Sequence, residues 1–281
     1  MECRLAYSRE WAIRMTHEKI SHKRSCFLTL TYDQAHLPPH GQLVKRDLQL
    51  FFKRFRKNVG PIRYVACGEY GERTLRPHFH VALYGHDFSE DRLFYKSNPG
   101  GQHLYTSRTL AGIWPAGAAL VGELTFESCA YIARYITKRL NASDKLSLLP
   151  LHVDESTGEI TYRNPEFLLC SKGRTAGGGI GGEWFRRFFD VDVLPHGRVI
   201  TSQGTPAPIP RYYKKLLGDK NPWFRNLGNP LNRDKASLMV LSSQHHSDNW
   251  VPSEDSPGRR AARSTYAKAR TGIFKRDLGD D

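Results

Sequence analysis

The chain has 281 residues, 39% of them hydrophobic and 25% charged, which allows one large core or two modest ones. Its 42 Lys and Arg against 28 Asp and Glu leave a net charge of +14 and a pI near 9.7. That excess favours a polyanionic partner, most simply nucleic acid, although ribosomal, capsid and membrane-surface proteins share it. Five scattered cysteines without a C-x-x-C pair argue against a zinc ribbon or a disulfide scaffold, and no apolar run approaches the roughly 18 residues of a membrane span.

Residues Ala6 to Ile20 read as a helix of mixed polarity, and Cys26 to Tyr32 as a strand closed by Leu37-Pro38-Pro39. Asp47 is expected to cap a helix with apolar Leu48, Phe51, Phe52, Phe55 and Val59. The other face of that helix carries Lys53, Arg54, Arg56 and Lys57, either a solvated surface or one that meets DNA. Pro61 to Cys67 reads as a second strand running into a turn over residues 68–73, with His78 to Tyr84 as its hairpin partner. Residues 86–117 read as a long connection, Ala118 to Phe126 as a fourth strand and Glu127 to Leu140 as a helix. The order predicts an α+β fold on a central antiparallel sheet.

Further on, Glu166 to Cys170 reads as a strand, Gly177 to Gly182 as a loop and Trp184 to Phe189 as an aromatic helix. The expected organisation is a core over 1–145, an extension over 146–250 packed on it, and a basic tail over 251–281.

Two constellations carry chemistry. In Arg76-Pro77-His78-Phe79-His80, the histidines are two apart on a strand, so both imidazoles share one face. A chain with twelve histidines offers chance pairs; the apolar strand context and the acidic turn single this one out. Two imidazoles and a carboxylate hold Mn²⁺ or Mg²⁺ with positions open for water and phosphate. Glu69, nine residues before His78 across the expected hairpin, is the first choice of third ligand, and Glu72 the second.

The second constellation is Tyr131-Ile132-Ala133-Arg134-Tyr135, where the tyrosines share one helical face. Cys129, Ile132, Ala133, Ile136 and Leu140 form a separate apolar stripe, with Tyr131, Tyr135 and Lys138 roughly opposite. A phenol with a pKa near 10 is a poor nucleophile; a nearby cation, with Lys138 as the candidate, favours the phenolate. A tyrosine phosphodiester conserves the energy of the DNA bond it replaces, so the break can be resealed. Two tyrosines suit two sequential transfers.

At these residues the sequence resembles the replication initiators of microviruses, especially the gokushovirus group, within the HUH endonuclease superfamily. Phe27-Leu28-Thr29-Leu30-Thr31-Tyr32 is similar to the first family motif. The second is Arg76 to His80, preceded by Cys67-Gly68-Glu69-Tyr70-Gly71, and the third is Tyr131 to Lys138. Ser8 to Arg14, Leu104 to Ser107 and Pro210 to Tyr213 extend the likeness to roughly residues 1–215. The resemblance implies a ferredoxin-like or RRM-like sheet with flanking helices. It implies rolling-circle initiation: nicking of an origin single strand, a 5′-phosphotyrosine link and rejoining.

Such relatives commonly begin with a further cysteine-bearing segment, and this sequence starts inside it, at Cys3-Arg4. The charged start, Met1 to Arg4, does not read as a signal peptide. The expected location is therefore the cytoplasm of a bacterial host. No G-x-x-x-x-G-K-[ST] loop is present, so a host helicase and the host replication machinery are expected partners. A relaxase of the same chemistry and a non-catalytic, basic packaging protein are the competing expectations. The second explains the charge but leaves both constellations to coincidence.

Overall fold

The computed structural model describes residues 2–71, 74–98, 100–138, 151–153, 157–173, 178–193, 197–201 and 204–220. Two compact units result, Met1–Ile180 and Gly181–Asp281.

The first unit is built on seven strands: β1 (Ser25–Tyr32), β2 (Arg63–Tyr70), β3 (Pro77–Tyr84), β4 (Arg92–Ser97), β5 (His103–Ser107), β6 (Gly117–Gly122) and, after a separate β7–β8 ribbon (Leu151–Val153 and Ile160–Tyr162), β9 (Phe167–Cys170). They pair antiparallel in the order β4-β5-β6-β1-β3-β2-β9. The architecture is the expected α+β sheet, with β1 and β3 at its centre.

Alternation along the strands sorts side chains onto two faces. Cys26, Leu28, Leu30 and Tyr32 of β1 join Phe79, Val81 and Leu83 of β3 on one face. Helix α2 (Lys45–Asn58) covers that face with Leu48, Phe51, Phe52 and Phe55, all fully buried. Each such side chain contributes about 2 kcal/mol through removal from water. The opposite face carries Val65 and Cys67 of β2 with Ala82 and Tyr84 of β3. It is covered by α1 (Glu2–Ile20) through Ala12 and Met15, and by α4 (Phe126–Lys138) through Cys129, Ile132 and Ala133.

Several sequence expectations are corrected. Asp47 is not the cap of α2, which begins at Lys45 after Val44 with no side-chain cap. Its carboxylate instead accepts a hydrogen bond of 2.7 Å from the Tyr32 hydroxyl. Strand β2 continues to Tyr70, so Glu69 stands on a strand rather than in a turn. The connection 86–117 contains β4, β5 and the short helix α3 (Arg108–Ile113), capped by Ser107. Strand β4 is exposed along its whole length, so it shows no alternation between apolar and polar residues to read. The sheet also recruits β9, beyond the boundary expected at 145, by pairing Phe167–Cys170 with β2.

The basic face of α2 lies on the side of the sheet away from the histidines. Its Arg54 donates to the Ile113 carbonyl at 2.9 Å, and the Arg56 guanidinium lies over Tyr64.

The second unit contains α5 (Gly182–Phe188), the pair β10 (Val199–Ile200) and β11 (Pro206–Ala207), and α6 (Arg211–Lys220). Trp184 and Phe185 of α5 stack on Tyr213 of α6, with ring centroids 5.8 and 4.9 Å apart. The expected basic tail over 251–281 lies outside the described residues.

Candidate metal centre and tyrosine pair

The register of three strands assembles the site. Glu69 of β2 lies directly opposite His78 of β3, and Cys67 opposite His80. On the other side of β3, Thr29 of β1 faces His80 and Thr31 faces His78. Directly paired residues share a face. The two imidazoles, Glu69 and Thr29 therefore stand together on the side covered by α4.

Helix α4 starts where Thr125 and Ser128 exchange reciprocal hydrogen bonds, Ser128 N–H to Thr125 Oγ1 at 3.2 Å and Thr125 N–H to Ser128 Oγ at 2.9 Å. This sets the phase of the helix. Cys129, Ile132 and Ala133 turn into the core, and Tyr131 comes down beside them over β2 and β3.

Three donors meet on one oxygen. Glu69 Oε1 accepts from His78 Nε2 at 2.7 Å, from His80 Nε2 at 2.9 Å and from the Tyr131 hydroxyl at 2.5 Å. The Tyr131 ring meets His80 edge to face, centroids 5.1 Å apart. The Tyr135 hydroxyl donates to that of Tyr131 at 3.4 Å, one step further from the carboxylate. Both tyrosines are half-buried and flank the apolar stripe of α4 rather than oppose it; Tyr135 also packs against the core on that face. Lys138 ends the helix, and its side chain lies outside the described residues, as does the whole of Glu72.

The electrostatics follow from the geometry. Burial opposes the charge on Glu69, but the donors from His78, His80 and Tyr131 outweigh it and hold the carboxyl at about 2. Burial likewise works against a charged His78, yet Glu69 and the Arg76 carbonyl raise it above the ordinary imidazole value. His80, more deeply placed, is lowered by burial. Burial and the Glu69 carboxylate raise the Tyr131 phenol, partly opposed by Arg134, whose guanidinium lies 4.7 Å from the ring centroid.

The donor set fits a divalent cation. Ligand atoms of Glu69, His78 and His80 lie within 4.8 Å of one another. Glu69 Oε2 is buried without a hydrogen-bond partner, an acceptor left over on an otherwise saturated carboxylate. The outer nitrogens are already held: His78 Nδ1 donates to the Arg76 carbonyl at 3.0 Å, and His80 Nδ1 lies 3.2 Å from Thr29 Oγ1. The sequence holds no signal for this role of Thr29. Alternation puts it on a face with Phe27 and Thr31, but nothing local says which strand stands beside it.

The family described as replication-associated protein ORF2 matches residues 25–140. Three curated proteins are similar. Replication-associated protein VP4 of Bdellovibrio phage phiMH2K is 32% identical over 78% of this chain and 66% of its own length. Replication-associated protein ORF2 of Spiroplasma virus 4 is 35% identical over 56% and 52%, and replication-associated protein ORF4 of Chlamydia phage 1 is 28% identical over 77% and 51%. The chain spans about half to two thirds of the length of these relatives. No solved structure matches it significantly. Among the described residues, no helix is long and apolar enough to cross a membrane.

Proposed function

We propose that this chain, a relative of the phage replication-associated proteins, initiates rolling-circle replication by nicking and rejoining a single strand at the viral origin. One observation carries the reading: a tyrosine hydroxyl and two imidazoles, from two elements, meet on the single carboxylate of Glu69 on a third.

His78, His80 and Glu69 would hold the cation, Mn²⁺ or Mg²⁺. When bound, it supplies positive charge at the scissile phosphate and offsets the carboxylate charge that keeps the proton on Tyr131. The remaining work falls to the protein's own groups. The Tyr131 oxygen, having lost its proton, forms a bond to phosphorus, and the bond to the 3′-oxygen breaks. That oxygen leaves as a hydroxyl after taking up a proton. Arg134 favours the phenolate. Tyr135, one turn on, is the second nucleophile, and attack by a free 3′-hydroxyl on the phosphotyrosine closes the strand. Lys138 is proposed to help neutralise the phenolate. A host helicase and the host replication machinery supply the motor and the synthesis, in the bacterial cytoplasm.

The test is incubation of the chain with an origin single strand and Mn²⁺, followed by mass analysis for a tyrosine-linked fragment. Tyr131→Phe or Tyr135→Phe alone should leave adduct, and the double variant none. Adduct formed by the double variant, or activity surviving thorough chelation, overturns the reading. A binding protein of the competing kind retards the oligonucleotide without shortening it.

A further inference from the structure

Strand β4 leaves large apolar side chains in water at the edge of the sheet. Leu93 is 64% exposed, Phe94 61% and Tyr95 56%. Isolated exposed apolar residues need no explanation, but three in succession on one strand do. The register slips between Phe94 and Lys96, a bulge that leaves Tyr95 without a partner across the pair. Phe94 meets Tyr105 and His103 of β5 edge to face, with centroids 6.1 and 5.5 Å apart, so the rings form a supported cluster.

The charges around this cluster have one sign. The stretch Arg92 to Arg108 contains Arg92, Lys96 and Arg108 and no acidic residue. The Arg92 guanidinium stands 5.0 Å over the Tyr105 ring, and Lys96 Nζ 5.4 Å over Tyr95. The nearest acidic groups are engaged: Asp91 accepts from Ser107 and Thr109, and Glu90 pairs with Arg24.

We propose that the β4–β5 hairpin is a platform for single-stranded DNA, with bases stacking on Phe94 and Tyr95 and phosphates meeting Arg92, Lys96 and Arg108. Stacked rings interleaved with cations are how proteins hold single strands without reading sequence. The proposal deepens the functional reading above and rests on it for the choice of strand. The hairpin is the far edge of the same sheet that carries the histidines, four strand steps from β3, or roughly 19 Å at about 4.8 Å per step. A strand of several nucleotides covers that reach. A second copy of the chain fits this edge less well. Antiparallel pairing of β4 with itself brings Arg92 and Lys96 of the two copies together, and like charges set opposite destabilise a pair.

The experiment titrates the full chain against a fluorescent oligothymidylate of about 20 nucleotides, by anisotropy, at several salt concentrations. Phe94→Ala and Tyr95→Ala are each expected to weaken binding about tenfold. Arg92→Gln with Lys96→Gln is expected to flatten the salt slope by about 1.4. Wild-type affinity in the double alanine variant overturns the proposal, as does conversion of a dimer to a monomer with DNA binding unchanged. Should the variants lose their fold, photo-crosslinking of an iodouracil-substituted strand to the unmodified chain decides instead. Adducts within 92–108 support the platform, and their absence there overturns it. A chain that binds through the hairpin yet forms no tyrosine adduct removes the nicking reading and leaves the platform standing.

Discussion

Glu69 and His78 face each other directly across the β2–β3 pair, and the imidazole Nε2 donates to the carboxylate at 2.7 Å. The same oxygen serves His80 and Tyr131, so one side chain on β2 couples the candidate metal ligands to the candidate nucleophile. Its removal should be felt by both. Glu69→Gln keeps the shape and removes the charge. We expect Mn²⁺ affinity, measured by calorimetry, to fall at least about tenfold. Unchanged affinity would remove Glu69 from the ligand set.

The same carboxylate sets a pH dependence in the metal-free protein. Its folded value, about 2, lies below the ordinary carboxyl value of 4.5. A depressed carboxyl stabilises the fold above its unfolded value and loses that contribution as pH falls through the folded one. Wild type should therefore lose stability relative to Glu69→Gln between about pH 4.5 and pH 2, by at most on the order of 3 kcal/mol. Urea unfolding in chelator at several pH values checks this; parallel curves for the two proteins would contradict it.

Arg134 lowers the Tyr131 phenol against the opposing pull of Glu69. In Arg134→Gln the pH profile of adduct formation should move upward by about half a unit, with lost rate recovered at higher pH. Arg134→Lys should restore part of the shift. A uniform loss of rate at every pH would instead indicate a structural role.

Gly117 opens β6 at φ +148°, and a Cβ there would lie 2.3 Å from the Asp33 amide nitrogen and 2.4 Å from the Thr31 carbonyl oxygen. Both are backbone atoms of the segment that β6 pairs with, so neither can swing aside. Gly117→Ala should cost about 2 kcal/mol or more, read as a lower urea midpoint with an unchanged m value. Gly112, whose Cβ would meet nothing within 4 Å, is the control. There alanine should be neutral or stabilising.

Local periodicity made much of this molecule legible. Alternation in Phe27–Tyr32 and His78–Tyr84, and the spacing of the phenylalanines in α2, follow from strand and helix geometry, which depends on neighbours in the chain. The two histidines had to share a face for the same reason, as did the two tyrosines. Long-range pairing was not legible. That Glu69 meets His78 depends on the β2–β3 register, and that Thr29 stands behind His80 depends on β1 lying beside β3. That the cations of α2 sit away from the site follows from which side of the sheet the helix covers. The hairpin at 92–107 leaves no periodic signal because its outer strand is exposed throughout and so carries no burial pattern. The sequence alone determined which side chains point the same way within each element. Only the packing of elements distant along the chain decided which of those faces meet, because register and helix placement are set by contacts that no local window contains.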